Sequence, residues 1–210
     1  MHATRWLCGA LISAFGCTAA PEVGPHRGSV DGIDGIDELS QPLSDLSAQC
    51  VFTPATHVLV LALRDGDIAV IERASNAAIL VNRIPCGDAT ATTVQRIDVR
   101  EAASGDQTVI FDYGGGSFAT GRTGQPGVTI DLGGHPGDAL KLIGTPGVDS
   151  FAAGANGIAI NNDAFLDLVV TGAPALVISL DDGDDTLSGA GNATTGNALA
   201  APLTAFGGNG

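Results

Sequence analysis

The sequence predicts an all-β fold: a parallel β-helix or solenoid of short strands, with a β-sandwich as the alternative for residues 51–142. Three observations carry this. Short apolar runs are separated by glycine-rich turns, and no strong apolar period of 3.6 appears after Cys50. Aromatic residues make up only 4% of the chain, so Val, Ile, Leu and Ala must fill the interior, which suits thin layers of strands. Towards the end the spacing tightens to about nine residues. Leu166–Pro174, Ala175–Gly183 and Asp184–Asn192 align as three blocks, each with a short β run before a turn. Leu168, Val177 and Thr186 occupy the same place in each block, as expected where one unit buries its inward residues on the next.

Composition bounds the function. A chain of 210 residues can bury one sizeable core, and 44% apolar with 15% charged residues argues against global disorder. The net charge of −14 opposes binding to nucleic acid, or to an anionic membrane, through a basic surface. No Lys or Arg follows Lys141, whereas Asp149, Asp163, Asp167, Asp181, Asp182, Asp184 and Asp185 do.

Residues 1–17 read as an export signal. Arg5 supplies a positive start, and Trp6 to Phe15 is an apolar run too short to span a bilayer. Gly16-Cys17 resembles the end of a bacterial lipoprotein signal, in which a small residue precedes the cysteine that receives lipid. The resemblance implies lipidation at Cys17 and attachment to the cell outer membrane. Ala14 stands where that family usually has leucine, and Phe15 is bulky. Cleavage near Ala19-Ala20, giving a freely extracellular protein, and a buried helix of the mature fold remain the other readings. Residues 18–48 read as a flexible acidic tether, punctuated by Pro21, Pro25 and Pro42, with the repeat Asp31-Gly32-Ile33-Asp34-Gly35-Ile36-Asp37.

The body is placed at 49–192. Cys50 and Cys86 form an even pair in an exported chain, which points to a disulfide, with two buried free thiols as the alternative. Strands are predicted over residues 57–63, 68–72, 78–81, 94–99, 108–111, 128–132, 139–143 and 157–160. Asp65-Gly66 suggests a hairpin between the first two. Gly114-Gly115-Gly116 could mimic a phosphate cradle, but no lysine or helix start follows it, so it reads as a turn.

The most informative stretch is Asp181-Asp182-Gly183-Asp184-Asp185-Thr186-Leu187. Four carboxylates within five residues repel one another, and oxygen ligands on a tight glycine turn suit calcium. The alternative is a solvated acidic turn. Gly183, Asp185 and Leu187 match the fourth, sixth and eighth positions of the nonapeptide G-G-x-G-x-D-x-U-x, although Leu180 and Asp181 replace its first two glycines. Gly207-Gly208-Asn209-Gly210 reads as the opening of another copy. The chain thus resembles the haemolysin-type (RTX) calcium-binding repeat family over roughly a tenth of its length. The resemblance implies calcium between successive turns, with Asp185 as the leading ligand, oxygens from Asp182, Asp184 and Asp181, and the 189–192 turn, ending in Asn192, beside them. It also implies that residues 193–210 begin a further, apparently truncated, repeat region.

No catalytic set emerges. Ser117 and Ser150 lack a nucleophile-elbow pattern, and neither H-E-x-x-H nor C-x-x-C occurs. The functional expectation is an exported, surface-anchored calcium-binding solenoid with a structural or adhesive role, meeting extracellular polysaccharide or a cell-surface protein. The alternative is a lyase- or epimerase-type enzyme on a β-helix, with Arg122 or Lys141 abstracting a proton.

Overall fold

The computed structural model describes residues 43–209, apart from 162 and 174. The chain divides into two units, Met1–Ile36 and Asp37–Gly210, and the description below concerns the second. The signal, Cys17 and residues 18–42 of the tether lie outside the described residues.

Among the described residues the fold is almost all β. The strands are β1 (Cys50–Thr53), β2 (Val58–Leu63), β3 (Ile68–Arg73), β4 (Ala78–Val81), β5 (Ile84–Thr90), β6 (Arg96–Glu101), β7 (Thr108–Asp112) and β8 (Val128–Asp131). They continue as β9 (Ala139–Ile143), β10 (Ser150–Gly154), β11 (Gly157–Ile160), β12 (Leu168–Thr171), β13 (Ala175–Ser179), β14 (Thr186–Ser188) and β15 (Leu203–Phe206). Two mixed sheets result. The first runs β1-β2-β6-β8-β12-β11-β10-β14, the second β15-β13-β9-β7-β3-β4-β5.

Alternation of residue size builds the core. In β2 the pattern Val58-Leu59-Val60-Leu61-Ala62-Leu63 buries every second side chain, because successive side chains leave opposite faces of a strand. Parallel pairing carries the inward set from strand to strand. Leu59 lies beside Ile97, Ile97 beside Val128, and Val128 beside Leu168, all four fully buried. The second sheet answers with Ile71, Phe111, Leu142 and Ile178, also in register and fully buried. The inner faces of both sheets share one apolar cluster.

Successive strands change sheet. β2, β6, β8, β12 and β14 lie in the first sheet, and β3, β7, β9, β13 and β15 in the second. The Asp65-Gly66 hairpin is therefore corrected: β2 and β3 do not pair but sit in different sheets. The Gly66 N–H bonds the Asp106 carbonyl at 2.8 Å, so this turn fastens to the following corner instead of folding β3 back on β2. True hairpins occur elsewhere. Asn82 and Arg83, at φ 52° and 68°, form the two-residue turn between β4 and β5. Asn82 is buried; its Oδ1 accepts the Val70 N–H, and its Nδ2 donates to the Ser44 and Ile68 carbonyls. Packing thus begins before Cys50, within the segment expected as tether, and Leu46 is in the core. At the other end, β15 pairs with β13, so residues 203–206 continue the second sheet.

Cys50 in β1 and Cys86 in β5 form a disulfide, with Cα atoms 5.7 Å apart, joining the edge strands of the two sheets. Reducing it should cost about 4 kcal/mol of stability for a loop of this length, measured by urea denaturation with and without reductant. Leu61→Ala, in the middle of the packed row, should cost about 2–5 kcal/mol in the same assay.

Candidate functional site

Among the described residues, many of the acids lie at the turns where the chain passes between sheets. Backbone N–H groups at such turns have no sheet partner and must be satisfied otherwise. Asp65 Oδ1 accepts the Asp106 N–H at 3.1 Å, and Asp106 Oδ1 accepts the Gly137 N–H at 3.0 Å. Buried Asp138 accepts the Gln107 N–H at 2.8 Å with one oxygen and the His135 N–H at 2.7 Å with the other. Carboxylates therefore join corners 31 to 41 residues apart in sequence.

The same device organises the acidic turn. Asp185 Oδ1 accepts the Asp149 N–H at 2.8 Å, and buried Asp149 accepts the Thr145 N–H. Asp182 Oδ1 accepts both the N–H and the Nδ2 of Asn209 at 3.1 Å. The Gly183 N–H in turn reaches the Asn209 carbonyl at 3.2 Å. The 207–209 segment therefore stacks directly on Asp181–Gly183. A Cβ at Gly208 would overlap the Asp181 carbonyl, which is why glycine stands there. Leu187, in β14, lies beside Phe151 of β10 and packs against the core.

Asp181 adopts φ 66° and carries a carboxyl raised above the ordinary 3.8, first by desolvation and then by the charge of Asp182, with Asp112 and Asp149 adding to it. Asp184 makes no hydrogen bond among the described residues. Asn192 turns its side-chain oxygen onto its own loop, where it accepts the N–H groups of Thr194 and Thr195 at 2.8 Å each. The Gly189 carbonyl accepts the Leu199 N–H. Among the described residues no group of three or more His, Cys, Asp or Glu side chains is placed to hold a metal ion. The five sequence-derived ligand candidates thus divide: Asp182 and Asp185 clasp neighbouring turns, Asp181 sits in the field of Asp182, and Asp184 and Asn192 stand apart from those clasps.

Two further groupings escaped the sequence. Ser104 Oγ lies 3.0 Å from His135 Nε2, and Glu101 Oε1 lies 3.1 Å from that same nitrogen. A relay from carboxylate through imidazole to hydroxyl needs both ring nitrogens, one for each partner. This trio therefore acts as a corner brace rather than as a charge relay. Nothing in the sequence signals it, because Ser104 and His135 are 31 residues apart. The other grouping surrounds Asp167, buried under β12 and accepting the Gly121 N–H at 2.8 Å and the Ile160 N–H at 2.6 Å. Burial pushes its carboxyl up despite these bonds, and the charge of Asp163 adds to the rise. Arg122 and Lys141 are not brought together. The Arg122 guanidinium is held by Gln95 and Gln125, while Lys141 lies on β9 between buried Leu140 and Leu142 and so faces outward from the other sheet.

No family model matches the sequence, and searches of curated proteins and of solved structures return no significant match.

The stability tied to Asp167 ionisation is complete below its unfolded value of 3.8 and is lost as pH rises through its elevated folded value. The difference in unfolding free energy between the native chain and Asp167→Asn should therefore fall as pH rises across that window. A pH series of urea denaturation curves measures it.

Proposed function

We propose that this chain is the body of an exported, surface-anchored protein: a β-solenoid with a structural or adhesive role, related to haemolysin-type repeat proteins and binding calcium at the Asp181–Asp185 corner. The observation that carries the reading is the unbroken change of sheet from β2 to β15, outside the two hairpin excursions, with like strands stacked in parallel. A sandwich over residues 51–142 is less favoured. Sandwiches pack antiparallel sheets, whereas β2, β6 and β8, and likewise β3, β7 and β9, run parallel. Of the nine-residue blocks, Leu168, Val177 and Thr186 fall on β12, β13 and β14, in alternate sheets, but only Leu168 is buried, so the shared position is not a shared inward one. Export is supported by the Cys50–Cys86 disulfide, a bond that persists in oxidising compartments. Attachment through lipid at Cys17 belongs to this reading.

Calcium is supported by charge. Asp112, Asp149 and Asp182 all bear on Asp181, and no Lys or Arg follows Lys141 to offset them. Asp182 and Asp185 each commit one oxygen to a neighbouring turn, and their second oxygens make no hydrogen bond among the described residues. With no preassembled ligand set, affinity belongs with extracellular modules, roughly 10⁻⁴–10⁻³ M. Calorimetric titration of the oxidised chain should give heat in that range. Calcium at about ten times Kd should add about 1.4 kcal/mol of stability. Asp185→Asn keeps an acceptor for the Asp149 N–H but removes charge, so it should abolish that gain, while the weaker neutral bond lowers the calcium-free melting temperature only slightly. Absence of both heat and stabilisation in the native chain removes the metal from the proposal and leaves the scaffold.

A further inference from the structure

Seven basic residues lie in the described part of this acidic chain, and three of them, Arg64, Arg96 and Arg100, line one continuous groove on the outer face of the first sheet. The groove has two sections, of about 360 and 440 Å³, which share Val60 and Arg100. Register lays its floor. Val51 pairs with Val60, Val60 with Asp98, Asp98 with Thr129, and Thr129 with Val169, one outward residue from each of five adjacent strands. At the usual strand separation this row spans about 19 Å. A parallel row places Arg100 beside Asp131.

The polar atoms here are incompletely used. Arg96 Nη2 holds Asp98 at 2.8 Å, and Thr129 donates to the other oxygen of Asp98. Arg96 Nε, shielded from water, has no partner, and neither has Gln49 Oε1 at the opposite end of the groove. These are two of the three such orphan side-chain atoms among the described residues. Arg64 and Arg100 are exposed and make no ion pair among the described residues.

We propose that this groove binds an extended carboxylate-bearing oligosaccharide, a uronate chain laid across the strands. Arginine forks match carboxylates, which selects an anionic ligand on a protein whose overall charge would repel one. Asp131, with one carboxylate oxygen unused, and the Thr129 hydroxyl oxygen supply acceptors for sugar hydroxyls. No aromatic side chain lines the groove, so stacking on neutral sugar is not its basis. The inference is independent of the calcium reading, and the test keeps the two apart.

The oxidised full-length chain is titrated calorimetrically with a short oligogalacturonate in EDTA, which removes any calcium bridge. Maltooligosaccharide and a poly-glutamate peptide serve as neutral and acidic-peptide comparisons. Saturable binding of the oligogalacturonate alone is expected, weakening with salt. Arg64→Glu and Arg100→Glu should each lower affinity at least tenfold, and Asp131→Arg should raise it. Arg83→Glu, on the β4–β5 turn outside the groove, should leave it unchanged, with circular dichroism confirming that each variant folds. No binding by the native chain, equal binding of maltooligosaccharide or poly-glutamate, or an equal loss with Arg83→Glu would each overturn the proposal.

Discussion

The described body depends on carboxylates accepting backbone N–H groups across its corners. Sheet pairing satisfies the straight segments, but a chain that changes sheet at nearly every strand exposes unpaired amides at each crossing. Asp65, Asp106, Asp138, Asp149, Asp182 and Asp185 answer those amides. A hydrogen bond to an ionised acceptor is stronger than one between neutral groups, about 1.5–3 kcal/mol net. Part of the negative composition is therefore a consequence of topology: the crossings after β2, β6, β8, β9 and β13 carry aspartates, whereas those at 91–95, 113–127, 172–174 and 189–202 carry no acid.

That reading separates the two outer regions of interest. The Asp181–Asp185 corner combines clasps already made with charge left uncompensated, and on that the proposal of a cation there rests. The outer face of the first sheet is opposite in character, with arginines gathered on a floor of small and β-branched residues. A single scaffold thus presents an acidic edge and a basic face, both set by which strands the parallel register brings together.

Much of the strand content was legible in the sequence. The runs at β2, β3, β4, β7, β8, β9 and β11 are apolar and β-branched, with turn residues on either side, and they read directly. β1, β5, β10 and β15 did not. Ile84-Pro85-Cys86-Gly87-Asp88-Ala89-Thr90 contains both proline and glycine, and Ser150-Phe151-Ala152-Ala153-Gly154 is mostly small residues. Their extended form comes from the strands beside them rather than from propensity. The Asp65-Gly66 turn misled because the same dipeptide serves a hairpin or a corner, and the choice lies in a bond to Asp106 41 residues away. The acidic turn was visible, but its partners were not. Asp149 and Asn209 are 36 and 27 residues distant from the acids they meet, and no local rule links them.

The edges at β14 and β15 carry a further meaning. A strand at the margin of a sheet offers a template on which another chain can polymerise. β14 is only three residues long and follows directly on Asp184 and Asp185, while the turn after β15 lies against Asp182. Two molecules meeting margin to margin would bring like charges together, well inside a screening distance of about 8 Å. Electrostatic self-avoidance thus opposes the pairing of two copies through β14 or β15, and the aspartates that lock one molecule's corners also keep its neighbours from adding to them.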